Sequence, residues 1–107
     1  MNESSELQVN NNHLLSRFEV NIDGKSAFLQ YVLGEGTISL THTYTPEALR
    51  GKGIASAVTK FALDYAKEKK LQVIVGCSFV GEYIKLHPEY KPLLSEKFPN
   101  NGKALFA

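Results

Sequence analysis

Arg50-Gly51-Lys52-Gly53-Ile54-Ala55 stands between a β-branched run, residues 37–45, and a run of helical periodicity that starts at Ile54. A chain that passes from strand to helix through two glycines exposes the unpaired N–H groups of the first helical turn. Those groups carry partial positive charge, and a helix start of this kind takes phosphate or pyrophosphate. Gly51 and Gly53 let the backbone approach such a ligand with no Cβ in the way. Arg50 and Lys52 add formal positive charge. The competing reading is an ordinary strand-to-helix turn, which a short glycine motif alone does not exclude.

Upstream of the loop, residues 14–22 read as a strand, with Phe18, Val20 and Ile22 alternating against Glu19 and Asn21. Asp23-Gly24 is a hairpin signal. Residues 26–33 form a second strand and residues 37–45 a third, so the three predict an antiparallel meander. Pro46 ends the third strand because it lacks the N–H that a ladder needs.

Downstream, Ile54, Val58, Phe61, Ala62, Tyr65 and Ala66 recur at helical spacing and define one apolar stripe. Lys60, Asp64, Lys67 and Lys70 fall off it and read as a solvated face. Residues 71–75 are a short apolar run suited to a buried strand. The strand–helix–strand order predicts a crossover that leaves this last strand parallel to the third. Ser78 is placed to cap a second helix carrying Val80, Tyr83, Ile84 and His87 on one face, and Pro88 ends it. The fold class is thus α/β (α+β): a three-stranded meander, then helix, parallel strand and helix. One domain spans residues 13–94, with a flexible tail at 1–12 and a second tail at 95–107.

The bulk numbers narrow the function. A chain of 107 residues with 43% apolar content builds one core without staples. A net charge of +1, with aromatics that do not interleave with basic residues, argues against nucleic acid as partner. No run reaches membrane-spanning length and residues 1–12 lack a signal-peptide core, so a cytoplasmic protein is expected. Its single cysteine forms no internal disulfide. One Cys and three scattered His show no metal-ligand spacing, so no metal is expected. The chain is read as a monomer, with a weak dimer as the alternative.

Two side chains could carry chemistry. By strand alternation His42 shares a face with Ile38, Leu40 and Tyr44. It is either a half-buried histidine with a satisfied hydrogen bond or a general base that titrates near neutrality. Cys77 lies between the last strand and the second helix. It is either a small buried hydrophobe or a thiol whose pKa a helix start lowers. In the second case it suits a nucleophile, or a proton donor to a leaving thiolate. The predicted topology brings His42, the glycine loop and Cys77 to one sheet edge, the carboxyl ends of parallel strands, where open α/β sheets bind ligands.

The loop also matches the Gln/Arg-x-x-Gly-x-Gly/Ala signature of the GNAT superfamily of acetyl-CoA-dependent N-acetyltransferases. Further motifs follow in order: Leu40-Thr41-His42-Thr43, Pro46 through Ala55, Ala62-Leu63-Asp64-Tyr65-Ala66, Cys77-Ser78-Phe79-Val80 and Tyr83 through Tyr90. Over residues 14–94 the chain resembles the very small, single-domain GNAT-like family of the N-acetyltransferase domain-containing protein 1 type. That resemblance implies that Arg50, Gly51, Lys52, Gly53, Ile54 and Ala55 bind the CoA pyrophosphate through main-chain N–H groups. Thr43, Tyr44 and Thr45 would lie beside the pantetheine arm, where a backbone N–H polarises the thioester carbonyl. Phe79, Val80 and Tyr83 would line the other side, with His42 and Cys77 as catalytic candidates.

The implied reaction moves an acetyl group from acetyl-CoA to an undefined amine and releases CoA. The alternative is a non-catalytic sensor or interaction module that binds CoA or acetyl-CoA. A third reading, a nucleotide site on the glycine turn alone, lacks the Gly-Lys-Ser/Thr end of a Walker-type loop. The chain departs from the family's pattern in having Tyr44-Thr45 where Glu-Val often precedes the proline, and Val75 where a proline often stands two residues before the cysteine. Larger GNAT enzymes also insert two helices between their first strands and add a C-terminal hairpin, which shape the acceptor site. Here only Asp23-Gly24 joins the first two expected strands, so a shallow, open acceptor side is expected.

Overall fold

A computed structural model describes residues 7–95. Of the expected tails at 1–12 and 95–107, residues 1–6 and 96–107 lie outside the described residues. A five-stranded sheet has the order β1-β2-β3-β4-β5, with β1 at Asn10–Asn12, β2 at Arg17–Ile22, β3 at Lys25–Gly34, β4 at Thr37–Tyr44 and β5 at Gln72–Val75. The first four strands are antiparallel and β5 runs parallel to β4. Helix α1 (Ile54–Glu68) makes the crossover, and α2 (Ser78–Leu86) follows β5. Short 3₁₀ turns sit at Glu47–Leu49 and Pro88–Leu93.

Strand β1 falls in the region read as a loose tail, and it adds a fourth strand to the meander. It has no apolar pattern to reveal it. Asn12 donates to the Glu19 carboxylate, and Asn11 accepts from the Tyr31 hydroxyl at 2.6 Å. The next strand starts at Arg17 rather than Leu14, because residues 13–16 turn the chain. Leu15 N–H donates to the Asn12 side chain and Ser16 takes a left-handed φ of 53°. At the following hairpin Asp23 and Gly24 both have positive φ, as a type I′ turn requires.

The core lies between one sheet face and α1. Phe18, Leu29, Tyr31, Ile38 and Leu40 point into it, and Phe18 meets the rings of Tyr31, Phe61 and Tyr65. The buried positions of α1 are Ile54, Val58, Thr59, Ala62, Leu63 and Ala66. The stripe is therefore shifted toward Leu63, and Phe61 sits at its margin. Asp64 is less free than its place off the stripe implies: it accepts from the Tyr90 hydroxyl and the Lys60 ammonium, each at 2.8 Å, and so ties the C-terminal 3₁₀ turn to α1. Val73 O accepts from Ser95 N–H, which lays the end of the described chain along β5.

Two features shape the functional edge. The first is a β-bulge. Tyr31 pairs with Leu40, but the preceding Gln30 pairs with His42, so Thr41 is an extra residue in β4. The bulge shifts the alternation. Thr43 pairs with Leu29 and faces the helices, whereas His42 and Tyr44 pair with Gln30 and Phe28 and face the other way. His42 therefore does not share a face with Ile38 and Leu40, as unbroken alternation requires. The second feature is a splay. The β4–β5 ladder ends at Leu40↔Val75, and Gly76 N–H closes the last bond to Leu40 O at 2.9 Å. Beyond it β4 runs on to Tyr44 while the chain after β5 turns into α2.

Candidate functional site

The loop after β4 is built by its own sequence. Pro46 opens the 3₁₀ turn, buried Leu49 anchors it, and Arg50 Nε donates to Thr45 O at 3.1 Å. Gly51 and Gly53 take left-handed φ values of 80° and 75°, and Gly53 is the N-cap of α1. A Cβ at either glycine would meet no protein atom within 4 Å. The space in front of the two glycines is thus open, as a cradle for an approaching ligand must be. The first α1 turn carries no acidic residue, so its positive end is not neutralised from within. Lys52 is exposed beside it.

A groove of about 230 Å³ runs from this loop toward α2, and its walls include Thr45, Arg50, Gly51, Gly53, Ala55 and Phe79. Leu49, Ile54 and Ser56 complete it. Ser56 and Leu49 were not among the residues expected there. Ser56 lies in the exposed first turn of α1, a position that periodicity alone marks only as off the apolar stripe. The groove's donor set of main-chain N–H groups, a guanidinium and two hydroxyls, those of Thr45 and Ser56, fits a phosphorylated ligand.

Cys77 is the N-cap of α2, a place the sequence reading gave to Ser78, which is instead the first helical residue. Its Sγ lies 3.2 Å from Thr43 Oγ1, so one contact bridges the mouth of the splay. Burial opposes ionisation of this thiol, but hydrogen bonding from the Thr43 hydroxyl and the main-chain N–H groups of Val80, Phe79 and Thr43 outweighs it. The thiol is held below its ordinary pKa. The chain packs closely just before it: a Cβ at Gly76 would lie 3.2 Å from Leu40 O, a tight contact.

The remaining expected residues separate. The Val80 side chain is fully buried, leaving only its main chain at the site. Tyr83 lies further along α2, its ring stacked on His87 at 4.2 Å between centroids and clear of the groove. Tyr44 is 45% exposed on the opposite sheet face against Phe28. His42 is exposed on that face too, 6.3 Å from the Phe28 ring. No hydrogen bond joins His42 to Cys77 among the described residues. The loop, Thr43, Cys77 and Phe79 gather on the helix side, and His42 stands across the sheet from them. No group of three or more His, Cys, Asp or Glu able to hold a metal occurs among the described residues.

The family described as GCN5-related N-acetyl-transferase matches residues 17–93. Protein NATD1 of Xenopus tropicalis is 32% identical over 91 residues, which cover 82% of this chain and 84% of that protein. Protein NATD1 of Homo sapiens is 31% identical over 85 residues, covering 77% and 75%. The matched span takes in β2 through the second 3₁₀ turn, and with them the loop, the bulge and the splay.

Proposed function

The chain belongs to the GCN5-related N-acetyltransferase family, and from that premise we propose that it is an acetyl-CoA-dependent N-acyltransferase acting on an amine. The observation that carries this reading is the open, acid-free glycine cradle at the start of α1, continuous with a groove that leads toward the β4–β5 splay. The donor, when bound, supplies an activated acetyl thioester.

In this reading the main chain of residues 50–55 holds the pyrophosphate, with Arg50 and Lys52 adding charge. Thr45 and Phe79 flank the pantetheine arm. Thr43 N–H, which acts on Cys77 across the splay, is a donor for the thioester carbonyl. His42 takes the proton of the attacking amine, directly or through a water, from the open face. The new nitrogen–carbon bond forms as the carbon–sulfur bond breaks. Two roles are open to Cys77. It gives its proton to the departing thiolate, or its thiolate first accepts the acetyl group and passes it to the amine. Mass spectrometry after incubation with acetyl-CoA separates them: one added acetyl on the wild type and none on Cys77→Ala marks the carrier, and no adduct on either marks direct transfer.

A second reading, a CoA-binding module without turnover, is favoured by one observation: His42 and Cys77 lie on opposite sides of the sheet. Release of free thiol from acetyl-CoA across a panel of amines decides between the two. Binding with background turnover for every acceptor would leave only the module. We place the protein in the cytoplasm as a monomer. No described helix is long and apolar enough to cross a membrane.

A further inference from the structure

A cavity of about 510 Å³ lies between the turn before β2, β3 and the bulge in β4, and it reaches the open sheet face at Gln30 and Val32. Its walls include Leu15, Gln30, Val32, Leu33 and Thr41. We infer that this cavity receives the apolar substituent of the acceptor, and that the acceptor is a small free monoamine with an aliphatic or arylalkyl chain. The inference rests on the acyltransferase reading above and names the substrate class that reading leaves open.

Position is the first argument. Gln30 is the cross-strand partner of His42, and Thr41 is the bulge residue beside it. The cavity therefore adjoins the proposed base through Gln30 and Thr41, although His42 is not part of its wall. Because the bulge turns His42 away from the helices, an amine held there meets the base on the face opposite the donor groove.

The lining is the second. Leu15, Val32 and Leu33 are 54%, 59% and 52% exposed, and Leu14 beside them is 96% exposed. Exposed apolar side chains gathered around one cavity mark a binding surface rather than scattered surface residues. The cavity volume lies in the range that holds small ligands.

Charge is the third. Among the lining residues only Tyr31 is ionisable, and its buried hydroxyl donates to Asn11. The acidic group of this face, Glu19, is already engaged by Arg17, Asn12 and Asn21. The Arg17 guanidinium sits over Phe28 on the same face, and Arg17 pairs with Gln30. Arg17 and Glu19 neutralise each other at 2.7 Å, and the cavity wall itself offers no carboxylate to a second ammonium on the acceptor. This argues against polyamines and for a single amino group on an uncharged chain.

The test is a series of primary amines from ethylamine to hexylamine, with spermidine and a Leu-initiated peptide as comparators, assayed by thiol release from acetyl-CoA. The expected result is a kcat/KM that rises about fourfold per added methylene, with spermidine and the peptide both poor. The double variant Val32→Thr, Leu33→Gln, which keeps strand-compatible side chains, flattens that rise, with a melting curve and CoA affinity reporting that fold and donor side are intact. A flat series, or preference for spermidine or the peptide, overturns the inference. If no amine is acetylated, the acyltransferase reading fails. Amide NMR shifts on adding hexylamine then decide the cavity separately: shifts at Gln30, Val32 and Thr41 that the double variant loses support it, and their absence overturns it.

Discussion

On its helix side the sheet presents Phe18, Leu29, Tyr31 and Leu40, all buried; on its other side the same strands present Gln30, Val32, His42 and Tyr44, all exposed. The helix side ends in the glycine cradle, the groove and a thiol held by Thr43. The open side carries a histidine, an aromatic row and a cavity. One inserted residue, Thr41, decides which β4 side chains fall on which side. In the reading proposed above, a chain this small would divide the donor and acceptor halves of a reaction between two faces of one sheet, with the β4–β5 splay as the passage between them.

The division is tested first from the open side. His42→Ala should lower the transfer rate by roughly 10²-fold or more, as expected for loss of a general base, while CoA affinity stays at the wild-type value. Loss of stability without a specific loss of rate would make His42 a structural residue.

From the helix side, Gly53 needs two substitutions to separate backbone strain from blocked approach. Gly53→Val places a β-branched residue at φ 75° and should destabilise α1 as well as prevent binding. Gly53→Asn tolerates the left-handed region but still adds a Cβ to the open space. It should keep the melting temperature close to wild type and weaken CoA binding by about tenfold or more, on the order of 1.4 kcal/mol. Wild-type affinity in the Asn variant would show that the open space is not the ligand's path.

The contact across the splay makes a smaller claim. Thr43→Val removes the hydroxyl that helps to hold the Cys77 thiol below its ordinary pKa. The pH midpoint of Cys77 alkylation should rise, and the rate at neutral pH should fall by several-fold, in line with a hydrogen bond to a charged group. An unchanged midpoint would assign the shift to the α2 amides alone. The same sign governs stability: a thiol with a lowered folded-state pKa contributes stability above its unfolded pKa, lost as pH falls through the folded value.

The smallest effect lies away from both faces. Burial, and then donation to Asp64, push the Tyr90 hydroxyl up to about 12. A raised folded-state pKa contributes stability that is full below the unfolded value of 10.0 and is lost as pH rises toward 12. Tyr90→Phe should cost about 1 kcal/mol in denaturant melts at neutral pH, and the gap to wild type should close between those two values.

Much of this was legible in the sequence because it is local. Asp23-Gly24, Pro46 and the two loop glycines each name a backbone conformation by their own chemistry, and the structure has the hairpin, the strand end and the left-handed φ values they require. What escaped is relational. Asn10–Asn12 becomes a strand through side chains that bond Glu19 and Tyr31, with no apolar pattern to mark it. The Thr41 bulge is a matter of register between two strands and carries no glycine or proline, so unbroken alternation put His42 on the wrong face. Ser56 lines the groove together with Phe79 of α2, a juxtaposition that no periodicity expresses.

The most direct test of the two-face account is amide NMR mapping of CoA binding to the full chain. The account expects shifts concentrated at residues 51–56, Thr43, Cys77 and Phe79, with Gln30 and Val32 unmoved. Shifts centred on the open face, or no saturable shift at the loop, would contradict it.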